Sequence, residues 1–173
     1  MTERAPRILV AGLGNVFLGD DAFGVEVARR LLARPPVANI RVVDFGIAGI
    51  DLIYTLLEGF DLVILVDAVA RGGPPGALYV IKPDMQGTSD ELPAFDPHDM
   101  DPAKVLAWVA SMPQTVARVL LVGCEIAPPG RHDLSEGLSP AVRDAVEPAA
   151  DLIQRLAAQP LNVAQPFHAV APS

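Results

Sequence analysis

Only one cysteine, Cys124, occurs in 173 residues. It cannot close an intramolecular disulfide, so the expected setting is reducing and cytoplasmic. A chain this long buries roughly 70% of its unfolded surface and needs no staple. Positive charge is scarce: 13 Lys and Arg stand against 21 Asp and Glu, for a formal charge of −8, and the basic residues never cluster. That argues against nucleic acid as a partner, because phosphate contacts require a basic stripe. Long apolar runs are also missing. The longest, such as LVILV before Asp67, is strand-sized and far short of the ~20 residues a membrane span needs. The start MTERAPR carries no signal-peptide pattern. No serine sits in GxSxG, so a serine-hydrolase triad has no foothold.

What is present is a set of short Val/Ile/Leu-rich runs: ILVAGLG (8–14), IRVVDF (40–45), DLVILVD (61–67) and RVLLVGC (118–124). They read as strands buried on both faces. Segments of helical period separate them. In DAFGVEVARRLL, Val25, Ala28, Leu31 and Leu32 share one face while Glu26, Arg29 and Arg30 point away. Further helices are expected at about 50–57, at 102–112 behind Asp101-Pro102, and from Ser139-Pro140 onward, where Pro148 must kink the helix or break its pattern. ALYVI (77–81), after GGPPG, reads as an extra strand, antiparallel to its neighbours. The order β-α-β-α-β-β-α-β-α predicts an α/β three-layer sandwich: a twisted, mostly parallel mixed sheet flanked by helices, with its ligand site beyond the carboxyl ends of the strands. Residues 1–158 read as a single domain and 159–173, with three prolines and no period, as a loose arm.

The glycine-rich turn GLGN after the first strand suggests a dinucleotide site with Asp44 on the ribose, but its spacing fails. A GxGxxG starting at Gly12 needs glycine where Phe17 stands. Asp20 and Asp21 would also meet the pyrophosphate with like charge. Gly12 and Gly14 are better read as a tight turn that lets strand and helix pack closely.

Three ligand-type side chains remain. Asp21 lies just past the first strand, Asp67 closes LVILV, and His98 sits in a loop ahead of the third helix. A carboxylate closing a buried strand is costly unless paired, hydrogen-bonded or bound to a cation. Two carboxylates and an imidazole suit a divalent transition metal with open positions. The plainer reading treats Asp20 as a helix cap, Asp21 as a favourable charge at a helix start, Asp67 as a turn carboxylate and His98 as a loop imidazole. His132 and His168 read as solvent-facing, and Cys124 as a buried structural thiol. The segment 84–101 holds six acidic residues and no Lys or Arg, which reads either as a solvated connection or as an acidic lip drawing in a cation.

In combination, ILVAGLGNVFLGDDAFGVEVARRL, DLVILVDAV, PHDMDPAKVL, LLVGCEIAP and GLSPAVRDAVEPAADLI resemble the endopeptidases that mature nickel-iron hydrogenase large subunits. The stretches follow that family's order up to about residue 158. The resemblance implies a twisted mixed sheet between helices. It implies that Asp21, Asp67 and His98 contact the metal, and that the enzyme removes a C-terminal extension from the large-subunit precursor once nickel is inserted. The nickel would be presented by the substrate, and other divalent metals could occupy the site in vitro. Hydrolysis could proceed through a metal-polarised carbonyl or metal-bound water, or through a carboxylate acting as general base on water. Asp21 is the first candidate for that base. The chain departs from the family at DFGIAG (44–49), where many members carry a glycine-rich GGT-type motif. That leaves the hydrogenase subtype open. A non-catalytic metal-sensing or chaperone module on the same scaffold is the competing function.

Overall fold

The computed structural model describes residues 4–83, 116, 118–128 and 137–159. The expected 102–112 helix, the acidic segment 84–101 with His98, both other histidines and the arm beyond Gln159 lie outside the described residues.

Five strands form one sheet: β1 (Ile8–Leu13), β2 (Ile40–Gly46), β3 (Leu62–Val69), β4 (Leu78–Ile81) and β5 (Val119–Glu125). Their order is β2-β1-β3-β5-β4. The first four in that order are parallel, and β4 pairs antiparallel with β5. The extra antiparallel strand expected after GGPPG is present, and the structure puts it on the sheet edge. Three helices are described: α1 (Phe23–Leu32), α2 (Gly49–Leu57) and α3 (Pro140–Ala158). A single 3-10 turn, Gly19–Ala22, leads directly into α1.

The sheet separates two apolar layers. Val10, Ile64, Val66, Leu120 and Val122 pack with residues of α1 and α3. Leu9, Ala11, Leu65, Val63 and Leu121 pack with Leu52 and Leu56 of α2. This alternation explains why β1, β3 and β5 read as unbroken apolar runs: they are covered on both sides. IRVVDF does not follow them. β2 is an edge strand on which only Phe45 is buried, because it has a neighbour on one side alone and α2 covers only part of it. In α1, Leu32 is 57% exposed while Val27 is fully buried. The buried stripe runs through Val25, Val27, Ala28 and Leu31, and the helix ends before Leu32 can turn onto the sheet.

Pro148 lies inside α3 without ending it. It falls on the exposed face, so water can satisfy the carbonyl whose helical partner is missing. Arg30 and Arg34 of the α1 end bind Glu147 and Asp151 of α3, tying the two helices together on the same side of the sheet.

Candidate functional site

The carboxyl ends of β1 and β3 are held close by glycines. A Cβ added at Gly24 would meet the Val66 carbonyl oxygen at 2.0 Å and that of Leu13 at 2.3 Å. One at Gly12 would meet the Gly24 oxygen at 2.4 Å and the Ala28 Cβ at 2.6 Å. Only hydrogen at these α-carbons lets α1 begin directly against the sheet. The expected close strand-helix packing at Gly12 is present, with Gly24 as its counterpart.

This contact brackets the two predicted carboxylates. Asp21 lies three residues ahead of Gly24, in the 3-10 turn that packs against β3. Asp67 follows Val66 directly on β3. Asp21 is half-buried, and its Oδ2 accepts the Asn15 N–H at 2.8 Å. Asp67 is only 6% exposed, and its Oδ1 accepts the Ala68 N–H at 2.8 Å. Gly14, with φ of 131°, carries the chain across the Asp21 backbone: a Cβ there would sit 1.8 Å from the Asp21 carbonyl oxygen. Asp21, in the turn packed against β3, and Asp67, on β3 next to Val66, thus lie on either side of the Gly24–Val66 contact. Among the described residues no group of three or more His, Cys, Asp or Glu is assembled to hold a metal ion, and His98 lies outside them.

Asp20 has a different task from its neighbour. Its Oδ1 accepts the Ser139 N–H at 2.6 Å and its Oδ2 the Ser139 hydroxyl at 2.9 Å. It caps no helix of its own. It latches the turn that carries Asp21 to the N-terminus of α3, 119 residues away, where a negative charge is favourable. Asp44 is also engaged structurally: its Oδ1 accepts the Gly46 N–H and its Oδ2 lies 3.3 Å from the Arg29 guanidinium. That leaves the demoted nucleotide reading without its ribose ligand.

Glu125 was not singled out by the sequence, although it closes β5 as Asp67 closes β3. It is 1% exposed. Its Oε1 accepts the N–H groups of Arg71 and Gly72 at 2.8 and 2.9 Å, fixing the turn that follows β3. Burial alone would push its carboxyl up. The N–H groups of Arg71, Gly72 and Gly73 and the Tyr79 hydroxyl outweigh this and hold it below the usual carboxylate range. The rule that flagged Asp67, a carboxylate at the end of a buried strand, would have found it. Cys124 beside it is fully buried. Burial, and next the charge of Asp20, pushes its thiol up to about 12, which makes it the inert thiol expected.

A cavity of about 220 Å³ lies among Leu31, Pro36, Val37, Ile40 and Ile153, at the amino end of β2 and the far end of α1. Its lining carries no acid or nucleophile. The candidate acids Asp21 and Asp67 lie at the other end of the sheet, where negative charge favours a cation over an anion.

A family model described as hydrogenase maturation protease matches residues 25–156, a span that contains Asp67 and His98. A hydrogenase expression/formation protein, HupD, of Rhodobacter capsulatus is 32% identical over 165 residues, covering 91% of this chain and 74% of the relative. Among solved structures, the hydrogenase maturating endopeptidase HybD of Escherichia coli is similar with a TM-score of 0.66 and 28% identity, covering 87% of this chain and 91% of that one. A [NiFe] hydrogenase maturation protease, HycI, of Thermococcus kodakarensis is similar with a TM-score of 0.64 and 28% identity, over 89% and 94% of the two chains.

Proposed function

This chain belongs to the hydrogenase maturation protease family, and on that premise we propose that it removes the C-terminal extension of a nickel-iron hydrogenase large-subunit precursor after nickel insertion. Asp21, Asp67 and His98 would recognise the nickel that the precursor presents. The observation that carries the proposal is the placement of two carboxylates, Asp21 in the turn ahead of Gly24 and Asp67 next to Val66 on β3, on either side of the close contact of Gly24 with Val66.

Two carboxylates and one imidazole need not hold a divalent metal tightly in the resting protein, whereas they can complete the shell of an ion already held by substrate thiolates. Nickel loading thereby becomes the recognition signal, and an unloaded precursor lacks the charge that draws the acidic strand ends. Ligand and base draw on the same side chains. With Asp21 Oδ2 occupied by the Asn15 N–H, Oδ1 is the oxygen left to contact the metal or to take a proton from the attacking water. The buried Asp67 is suited to the ligand role, since a cation offsets the cost of keeping its charge out of water.

The test is to incubate the purified protein with nickel-loaded and with nickel-free precursor and weigh the products. Release of the extension from the loaded precursor alone, and its loss in Asp67→Asn, is the expected result. Full-rate processing by Asp67→Asn would overturn the metal assignment. Binding without peptide release would favour the non-catalytic module.

A further inference from the structure

The loop between β1 and the 3-10 turn displays three successive apolar side chains to solvent: Val16, Phe17 and Leu18 are 37%, 76% and 44% exposed. Three successive exposed apolar side chains form a contiguous patch of the kind that marks a contact surface. The loop is also built rather than slack. The Phe17 N–H donates to Asn15 Oδ1 at 3.0 Å, and the Leu18 N–H donates to the Asn15 carbonyl at 3.1 Å. Both of its ends are fastened to Asp21: the Asn15 N–H donates to the Asp21 carboxylate, and the Asp21 N–H donates to the Leu18 carbonyl at 3.1 Å.

A second apolar element adjoins it. The Gly14 N–H donates to the Gly46 carbonyl at 3.0 Å, which sets the start of this loop beside the β2–α2 connection. There Ile47 is 55% exposed, and Ile50 and Tyr54 continue the stripe one helical turn apart at 41% and 68%. The stretches GNVFLG (14–19) and FGIAGI (45–50) hold no charged residue, in a chain where one in five is charged.

We infer that Val16, Phe17, Leu18, Ile47, Ile50 and Tyr54 form a docking platform for an uncharged, apolar stretch of the precursor polypeptide flanking the bond to be cut. This inference rests on the proteolytic reading above and deepens it. The occupant follows from continuity: the loop carrying Val16, Phe17 and Leu18 is hydrogen-bonded at both ends to Asp21 of the candidate site, so a chain lying across it is brought to those acids, and the reaction's substrate is a polypeptide. Nickel would then report that the precursor is loaded, while the platform reads which polypeptide carries it. A few apolar and aromatic anchors carry most of the affinity in such contacts.

The experiment compares full-length wild type with the Phe17→Ser/Ile47→Ser double variant, using the large-subunit precursor of the host's own hydrogenase. Leu32→Ser, an exposed apolar position at the distant end of α1, serves as control. Cleavage of nickel-loaded precursor is followed by intact mass. Binding of nickel-free precursor, which is not cut, is followed by biolayer interferometry. The expected result is a KM about ten-fold higher or more with kcat changed less than about two-fold, and a matching loss of binding. Leu32→Ser should match wild type in both. Equal KM and equal binding in the double variant would overturn the platform, as would a wild-type dimer that the double variant converts to monomer, since a second copy would then be the occupant. Platform-dependent binding without cleavage by wild type would overturn the proteolytic reading and leave the docking surface standing. Absence of both binding and cleavage in wild type would overturn both.

Discussion

Removing the Asp20 carboxylate should weaken the whole fold measurably, although Asp20 sits in a surface turn. Two hydrogen bonds end on this one charge, from the Ser139 N–H at 2.6 Å and the Ser139 hydroxyl at 2.9 Å. Hydrogen bonds to a charged group contribute about 1.5–3 kcal/mol each when well formed. The site is half-buried, so water replaces part of what is lost. The placement at the start of α3 adds about 0.3–1 kcal/mol from the helix dipole. Asp20→Ala should therefore cost about 2–3 kcal/mol. Ser139→Ala removes one bond and leaves the backbone donor, so it should cost about 1 kcal/mol. For a domain of this size each kcal/mol lowers Tm by about 2–4 °C, which places the Asp20→Ala midpoint roughly 4–12 °C down. Urea melts read with a common slope supply the free energies, and the double variant completes a cycle. A loss below about 0.5 kcal/mol in Asp20→Ala, or full additivity with Ser139→Ala, would refute the latch.

Further outcomes follow from the same geometry. Gly24→Ala should fail to give folded protein or lose more than about 3 kcal/mol, because its Cβ would meet two backbone oxygens, at 2.0 and 2.3 Å, that no side-chain rotation can move; circular dichroism and a urea melt decide it. Cys124, with its thiol pushed up to about 12, should resist iodoacetamide at pH 8 until the protein is unfolded. Its folded value lies above its unfolded one, so its contribution is intact below about 9 and fades as pH rises from there toward 12; melts between pH 8 and 11 should steepen this loss relative to Cys124→Ala. Glu125 is displaced the other way. Its contribution is present above the ordinary carboxylate range and lost as pH falls below about 4.5, so Glu125→Gln should be less stable than wild type at pH 7 and should lose less between pH 5 and pH 3.

Much of the sheet was legible because parallel strands covered on both sides leave an unmistakable mark. β1, β3 and β5 came through as near-continuous Val/Ile/Leu runs, and GGPPG announced the turn before β4. β2 has the same wording, IRVVDF, and yet lies at the edge, since a run of apolar residues says nothing about how many neighbours a strand will have. Leu32 belonged to the right helical face by period but fell at the helix end, where the face no longer meets the sheet. At the site, Asp67 was legible from the cost of ending a buried strand in a charge. Glu125 obeys the same rule, but its partners are the N–H groups of a turn more than fifty residues away, and no local pattern points to them.

The amino-acid sequence by itself determined the alternation of strands and helices, the tight turn at Gly12 and Gly14 and the acids stationed beyond the first and third strands, because these depend on local period, on the absence of a side chain and on the solvation of a charge. It also carried the family likeness through motifs in order. The division of labour between the adjacent acids Asp20 and Asp21 was decided only by the tertiary structure. One is turned to Ser139 at the start of a helix remote in the chain, and the other is held by Asn15 at the strand end. The hydrogen bond from the Gly14 N–H to the Gly46 carbonyl, which sets the start of the loop after β1 beside the β2–α2 connection, likewise depends on the neighbouring of β1 and β2 in the sheet. Such roles rest on partners brought close by packing, and that proximity is written in no single stretch of residues.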